Sequence, residues 1–271
     1  MITEFATYLR VVKGYSDNTV EAYVKDLRHF VRWYRVHMPN AHWRQITRRD
    51  IDDYMMAMSS MSLSPATINR HLASLSGLFK FQKREGLRDD NPCQYETRAK
   101  LMKKIPNTIP VVDIEKAICH ADEHVAMALR LFLSTGCRIQ ELLDMNISDI
   151  DFDNNRILVL GKGSKERYVY FDNDCRDALI EYTAGRIGRI FERWTQRDLR
   201  YEVYDALRPF SSARQLSPHA IRHTYTTELA RHGCPTTSLK VLLGHESLQT
   251  TQRYVDFALC EAQADYFKFH S

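Results

Sequence analysis

The clearest hydrophobic pattern in the chain lies between Ser16 and Val36, where apolar residues recur at intervals of three and four positions. The apolar positions are Val20, Tyr23, Val24, Leu27, Phe30, Val31 and Tyr34. This spacing predicts one long amphipathic helix, because it places these side chains on one face. Its other faces would carry the basic residues Lys25, Arg28, Arg32 and Arg35.

Helix-start signals follow this stretch. Thr47 with Asp50 three positions later predicts a capping box in which Asp replaces the usual Glu or Gln. The Ser64-Pro65 pair suits the N-cap and first position of another helix. Together with a short helix near residues 3–12, these signals predict a four-helix unit over residues 1–92.

The second part of the chain has a different pattern. Residues 93–110 carry several basic side chains and two prolines, which predicts an exposed basic linker. Residues 111–271 are mostly helical in pattern, but 156–160 and 167–171 are strand-like and flank a turn that contains Gly161 and Gly163. We therefore expect a mainly α fold with one small antiparallel β-sheet, and Lys162 at the tip of its hairpin.

The charge is unevenly spread over the chain. The formal net charge is +4, from 38 basic and 34 acidic residues. Residues 1–105 hold 18 basic and 11 acidic side chains, a net charge of +7, whereas the remaining 20 basic and 23 acidic side chains give −3. A basic half suits a polyanion such as DNA, although a solvated basic surface explains the charge alone equally well.

Cysteine usage and hydropathy narrow the class of protein. The six cysteines are scattered singly, with no C-x-x-C pair, which argues against a disulfide framework or a zinc site. The sequence has no signal-peptide pattern and no apolar run close to the length of a membrane span. These features predict a cytoplasmic protein without a membrane partner.

Potentially reactive side chains concentrate near the C-terminus. The Ser217-Pro218 pair predicts a helix start, and Gly233 would end that helix. His219, Arg222 and His223 then lie at i, i+3 and i+4, so they share one face.

Two further elements would bring more reactive side chains to this helix face. A helix ending at Gly244 places His245 just after its C-cap, and Ser247 would cap a helix that carries Tyr254. A guanidinium offers a planar fork to phosphate oxygens, an imidazole moves protons near neutral pH, and a phenol can form a covalent ester.

Four motifs in this part of the chain resemble those of one family. Residues 219–223 (His-Ala-Ile-Arg-His), 243–245 (Leu-Gly-His) and Tyr254 closely resemble the C-terminal boxes of the tyrosine recombinase (phage integrase) family, and the overall length is similar to that of its compact Xer type. Upstream, residues 134–142 resemble its arginine box and 161–167 its lysine hairpin. The four occur in the family's order, which chance rarely produces.

This resemblance implies a site-specific DNA recombinase. Tyr254 would attack a DNA phosphodiester and form a 3′-phosphotyrosyl bond, leaving a free 5′ hydroxyl. Because that bond keeps the energy of the broken one, religation would need no ATP, and we expect no cofactor and no metal. Arg138 and Arg222 would clamp the non-bridging phosphate oxygens. The structural alternative for Arg138 is an ion pair with Glu141 or Asp144.

The remaining catalytic roles concern proton transfer. His219 would accept the tyrosine proton, and His245 would bind the phosphate or assist proton transfer. Lys162 would protonate the departing 5′ oxygen, with Lys165 as the alternative acid. His223 belongs to the family pattern and is assigned to packing or orientation. The candidate DNA-contacting residues are Arg70, Lys80, Lys83 and Lys165.

Two other motif interpretations fail on the residues present. The turn at 161–163 lacks both the upstream glycine and the Ser or Thr of a P-loop. His219 and His223 have metal-ligand spacing, but no glutamate lies between them and the cation Arg222 stands beside them.

The resemblance also implies partners. One partner would be double-stranded DNA with an inverted-repeat core site, which residues 1–92 and 111–271 would clamp. The others would be three further copies of the chain, which would form a tetramer on DNA. The apolar tail after Tyr254 would dock into a neighbouring protomer, the alternative being packing against its own domain. Accessory DNA-bending or directionality proteins are compatible with this scheme. The rival functions are a type IB topoisomerase-like enzyme and a DNA-binding protein with an inactive site.

Overall fold

The structure is a computed structural model that describes residues 1–39, 43–94, 106–161, 165–245, 251–252 and 254. The chain divides into two compact units, Met1–Met102 and Lys103–Ser271. Each unit has its own hydrophobic core.

The first unit contains the four predicted helices. They are α1 (Ile2–Val11), α2 (Asp17–His37), α3 (Arg48–Ser60) and α4 (Pro65–Arg84). Thr47 and Asp50 form the capping box at the start of α3, and the Ser64 hydroxyl accepts a hydrogen bond from the Thr67 N–H at the start of α4. A short 3₁₀ turn precedes α3.

The core of the first unit is formed by the apolar faces that the periodicity predicts. Leu27, Phe30 and Leu78 are fully buried. The Phe30 ring meets the edge of the Tyr54 ring with 4.9 Å between centroids. Each such large apolar side chain stabilises the fold by roughly 1.5–3 kcal/mol through burial.

The second unit is mostly helical with a small sheet. Its helices are α5 (Val111–His120), α6 (Glu123–Thr135), α7 (Ile139–Asp144), α8 (Asn173–Thr183), α9 (Gln196–Leu207), α10 (Pro218–Arg231) and α11 (Thr236–Leu243). Helix α6 contacts α5, α8, α9 and α10, so it lies at the centre of the unit. Its inner face is fully buried at Leu129, Leu131 and Phe132.

The sheet is antiparallel, in the order β1 (Ile150–Asp151), β2 (Arg156–Leu160) and β3 (Glu166–Tyr170). Strands β2 and β3 are the predicted hairpin, with Ile157 opposite Val169 and both side chains buried. The short β1 strand was not predicted.

The predicted linker differs from the structure at its two ends. Cys93 is buried in the core of the first unit, and Ile109 is buried in the second. The Thr224 hydroxyl both accepts from the Ile109 N–H, at 2.8 Å, and donates to the Ile109 carbonyl, at 2.9 Å. These apolar side chains are removed from water, so neither position is an exposed linker residue. The middle of the linker, 95–105, lies outside the described residues.

Among the described residues, no helix has both the length and the hydropathy that crossing a membrane requires.

Candidate active site

Helix α10 presents the central residues of the site. The Ser217 hydroxyl accepts a hydrogen bond from the Ala220 N–H at 3.2 Å, and Pro218 occupies the first turn, where its missing N–H costs nothing. The helix therefore begins where the sequence predicts. The His219 and His223 rings lie on one face, with 4.3 Å between their centroids.

Arg222 is almost completely buried, with 3% of its surface exposed. Its Nη1 donates to the Gly136 carbonyl and its Nη2 to the Leu243 carbonyl, both at 2.6 Å. These two carbonyls lie at or next to the C-terminal ends of α6 and α11. The guanidinium therefore joins the ends of two helices in the interior of the unit.

The surroundings of Arg222 disfavour its charge. Burial, followed by the like charge of Arg138, lowers the pKa of Arg222 to about 10. The guanidinium still carries its proton at neutral pH. The Glu141 carboxylate offsets part of this cost, because its negative charge acts to raise the pKa of Arg222.

Arg138 occupies the N-cap of α7 and is about one third exposed. Its backbone N–H donates to one Glu141 carboxylate oxygen and its Nη1 to the other, both at 2.7 Å. Its Nη2 donates to the Gly244 carbonyl at 2.9 Å. The ion pair with Glu141 that was considered as a structural role is therefore present, and the exposed part of the guanidinium stays accessible to a ligand.

Arg167, at the start of β3, holds the same carboxylate. Its Nη1 and Nη2 donate to the two Glu141 oxygens at 2.7 and 2.9 Å, and its Nε donates to the Leu242 carbonyl at 3.2 Å. Burial alone would raise the pKa of Glu141, but the hydrogen bonds and charge of Arg167, together with those of Arg138, lower it. No role was predicted for Arg167, although it is the last residue of the motif at 161–167.

Glycine is required where these contacts converge. Gly136 has φ +60°, and a Cβ there would lie 2.1 Å from the Tyr225 ring. Gly244 has φ +58°, and a Cβ there would lie 3.0 Å from the Arg167 side chain. Each glycine therefore ends its helix in the left-handed conformation and keeps its carbonyl within reach of an arginine.

His245 links Arg222 to the last described helical residues. Its Nε2 lies 3.3 Å from Arg222 Nη2, and its Nδ1 lies 2.9 Å from the Thr251 hydroxyl. Because a guanidinium can only donate, Nε2 is the acceptor and Nδ1 carries the proton, which it donates to Thr251. These two contacts fix the orientation of the imidazole.

Tyr254 is buried, with 2% of its surface exposed. Its hydroxyl oxygen lies 2.5 Å from His223 Nδ1. Thr251 and Tyr254 are both helical, one turn apart. The phenol is thus tied to α10 through His223, and its helix is tied to Arg222 through His245.

Two family models match this chain. The phage integrase family matches residues 109–259, and the phage integrase N-terminal SAM-like domain matches residues 2–86. A tyrosine recombinase XerC of Lactobacillus delbrueckii subsp. bulgaricus is 30% identical over 284 residues, which cover 97% of this chain and 96% of the relative. A tyrosine recombinase XerC of Listeria innocua is 30% identical over 289 residues, covering 98% and 96%.

The chain belongs to the phage integrase family. It is a site-specific tyrosine recombinase of the Xer-like type. The fold is also that of the Tn1549 transposon integrase, solved in complex with transposon right end DNA, with a TM-score of 0.76 at 19% identity over 97% of this chain and 98% of that one.

The structure brings together most of the residues that the recombinase motifs predict. Arg138, Arg222 and His245 meet around the ends of α6 and α11, as described above. His219 is exposed beside His223. The predicted proton acceptor was His219, whereas the phenol oxygen of Tyr254 lies against His223, which the sequence assigned to packing.

The lysine hairpin of the recombinase is described only in part. The Gly161 N–H donates to the Lys165 carbonyl at 2.7 Å, which closes the hairpin, and the Lys165 side chain is exposed. Lys162 lies outside the described residues, as does Ser247.

Arg70 of the recombinase has a partner within the first unit. Its Nη1 lies 2.7 Å from both carboxylate oxygens of Asp26, which is buried. His71 Nε2 lies 3.1 Å from the same carboxylate, and burial lowers the pKa of His71 to about 4. Arg70 therefore balances a buried charge, and its contact with DNA stays a prediction. Lys80 and Lys83 are exposed on α4.

A basic groove in the first unit was not predicted. It lies between α1 and α2 and has a volume of about 700 Å³. Its charged and histidine lining residues are Arg10, Glu21, Lys25, Arg28, His29 and Arg32. The sequence did place the basic residues of α2 away from the apolar face, but it could not show that α1 adds a second wall.

The part of the recombinase that the structure describes holds no cluster of three or more His, Cys, Asp or Glu side chains arranged to bind a metal ion.

Proposed function

We propose that this recombinase cleaves and rejoins DNA strands through a 3′-phosphotyrosyl intermediate formed on Tyr254. The observation that supports the proposal best is the chain of contacts from Tyr254 through His223 on α10 to the neighbouring Arg222, and through Thr251 and His245 back to the same guanidinium. The proposed nucleophile and the guanidinium that would bind the phosphate are thereby linked through α10 and through Thr251 and His245.

Arg138 and Arg222 would stabilise the five-coordinate phosphorus. Negative charge grows on the non-bridging oxygens as the tyrosine oxygen attacks, and two fixed guanidinium groups can neutralise it without reorganisation. The lowered pKa of Arg222, caused by burial and by Arg138, reflects the electrostatic cost that a bound phosphate would remove. Glu141 and Arg167 would hold Arg138 in place.

The departing 5′ oxygen needs a proton, because an alkoxide is a poor leaving group. An arginine is a poor proton donor, so a lysine of the β2–β3 hairpin, Lys162 or alternatively Lys165, would supply it.

A substrate in which sulfur replaces the bridging 5′ oxygen distinguishes this role from simple phosphate binding, since a thiolate leaves without protonation. Lys162→Ala should cleave the normal substrate slowly and recover on the sulfur substrate, whereas Arg138→Ala should stay slow on both. Recovery of Lys165→Ala instead would assign the acid to Lys165.

The first unit would contact the DNA backbone. Its basic groove presents Lys25, Arg28 and Arg32 from successive turns of α2, all exposed. Together with the second unit it would clamp one half of an inverted-repeat site, and the connection between the units would give the pair a high effective concentration.

Four copies of the chain would assemble on two such sites. The tail that would dock in trans follows Tyr254 and lies outside the described residues, so this part of the proposal rests on the family alone. Packing of the tail against its own domain remains the alternative.

Two plasmid assays test the proposed function. The recombination plasmid would carry two copies of the sequence that the protein selects from a random-sequence DNA pool, and the relaxation plasmids would carry one copy or none. The expected result is DNA strand exchange between two sites on one plasmid, and no exchange when either site is missing. Relaxation of a supercoiled plasmid that lacks the site, at the same rate as one that has it, would instead indicate a topoisomerase-like enzyme.

A further inference from the structure

His223 is the histidine that the structure places against the attacking oxygen. Its Nδ1 lies 2.5 Å from the Tyr254 hydroxyl oxygen, and the two rings are 5.4 Å apart between centroids. We propose that His223 accepts the phenol proton during attack and returns it during religation. This inference rests on the proposed function, since it assigns a partner to the same nucleophile.

Burial of the phenol favours a protein group as the proton acceptor in this step. A phenol has a pKa of about 10, so roughly one molecule in a thousand is ionised at neutral pH. Tyr254 is 2% exposed, so bulk water has little access to its hydroxyl. A side chain in contact with the oxygen offers the shortest path for the proton, and His223 Nδ1 is within hydrogen-bonding distance.

The imidazole of His223 has a nitrogen that can take the phenol proton. A neutral imidazole carries one N–H and one nitrogen with a free lone pair. With its own proton on Nε2, His223 can accept the phenol hydrogen bond at Nδ1.

The step balances over one reaction cycle. As the Tyr254 oxygen bonds to phosphorus, its proton passes to His223 Nδ1. The bond from phosphorus to the 5′ oxygen breaks at the same time. The 5′ oxygen keeps the electron pair and takes a proton from the proposed lysine acid. In religation the 5′ hydroxyl attacks phosphorus and gives its proton back to the lysine, which is now a neutral amine. The bond from phosphorus to the Tyr254 oxygen breaks, and the His223 imidazolium returns its proton to that departing oxygen. No proton is consumed overall.

Single-turnover cleavage measures the effect of His223. The probe is a nicked duplex that contains the site selected from a random-sequence pool, because a nick near the cleavage position traps the covalent adduct. His223→Ala should form the adduct about 10²–10⁴-fold more slowly, the usual contribution of a general base. His232→Ala is the matched control, because His232 lies at the end of the same helix and its ring contacts only a backbone carbonyl of that helix among the bonds described. It should match the unmodified protein.

A second variant separates proton transfer from positioning. In His223→Asn an amide oxygen can accept the phenol hydrogen bond, but it cannot hold the proton at neutral pH. We expect His223→Asn to be as slow as His223→Ala while both still bind the half-site. A normal rate for His223→Asn would show that the side chain only positions the phenol, and would overturn the proposal.

A more acidic nucleophile provides the decisive comparison. Replacing Tyr254 with 3,5-difluorotyrosine lowers the pKa of the phenol, so attack depends less on a strong proton acceptor. The defect of His223→Ala should then shrink at least tenfold. An unchanged defect, or rescue of His219→Ala in place of His223→Ala, would overturn the assignment to His223. If the unmodified protein forms no adduct at all, the proposed function fails, and this inference with it.

Discussion

Arg222 binds backbone carbonyls in the interior and keeps a positive charge there, which few side chains can do. Its guanidinium binds the carbonyls of Gly136 and Leu243 in the interior, and it stays charged there although burial and Arg138 lower its pKa to about 10. A lysine has a single ammonium group, which cannot reproduce this fork and loses its proton more readily on burial.

Arg222→Lys should therefore reduce single-turnover cleavage about 10²–10³-fold, the usual cost of removing one donor to a developing oxyanion. Half-site binding should change much less, because the proposed DNA-binding groove of the first unit is unchanged. Arg231→Lys is the matched control, since Arg231 pairs with Glu228 at the exposed end of the same helix. Equal cleavage by the two variants would show that the buried fork has no part in catalysis.

The role of His223 could not be read from its own neighbours in sequence. Its partner, Tyr254, lies 31 positions later, in another helix. Among the 11 histidines a packing role is the usual one, so the pattern alone favoured the less reactive assignment. The spacing did predict that His219, Arg222 and His223 share a face, because that depends only on helix geometry.

Helices and strands of the second unit meet at one carboxylate. Glu141 on α7 receives Arg167 from β3 and Arg138 from the N-cap, and both arginines also reach carbonyls at the end of α11. The hairpin that carries the proposed acid is thereby linked to the proposed phosphate clamp.

Removing this carboxylate should destabilise the second unit in a pH-dependent way. The pKa of Glu141 is lowered in the folded state, because the arginines outweigh the opposing effect of burial. Its stabilisation is therefore fully present above the unfolded pKa, about 4.3, and is lost as the pH falls through the lower folded pKa. Glu141→Gln should cost about 3 kcal/mol at pH 7, as expected when one partner of a buried ion pair is removed.

Denaturant unfolding at several pH values checks this expectation. The difference between Glu141→Gln and the unmodified protein should shrink below about pH 4. Glu166→Gln, at an exposed position of β3, should differ little from the unmodified protein at any pH. A difference for Glu141→Gln that stays constant from pH 7 to pH 3 would contradict the proposed charge network.

Element ends that depend on local chemistry were predicted well. The caps at Thr47, Ser64 and Ser217 and the left-handed glycine at 244 are set by residues within one turn. The short β1 strand was missed, because its two residues are defined only by pairing with β2. The loop at 184–195 was missed as well, although it contains Gly185 and Gly188, both of which have positive φ.

The chain as a whole should bind DNA mainly through its charge. The basic groove of the first unit and the arginines of the second are separate cationic surfaces, and each neutralised phosphate releases counterions. Binding to the selected site should therefore weaken steeply with salt. Removing two groove contacts by Arg28→Ala with Arg32→Ala should reduce the slope of log affinity against log salt by about 2.

Titrations of a labelled duplex at several salt concentrations give this slope. Arg48→Ala is the control, because Arg48 belongs to the same unit but does not line the groove and lies within 3.8 Å of Asp52. An unchanged slope for the double variant would exclude the groove as a DNA-binding surface, without bearing on the active site.

Formation of the covalent bond by Tyr254 is the claim on which the other roles depend. Its most direct test is adduct formation on the nicked selected duplex by the unmodified protein and by Tyr254→Phe, which keeps the buried ring and removes only the hydroxyl. The unmodified protein should give an SDS-resistant, protease-sensitive DNA adduct that maps to Tyr254, and Tyr254→Phe should bind the duplex equally well and give none. An adduct of the same yield from Tyr254→Phe would contradict the assignment of the nucleophile and the proton path built on it.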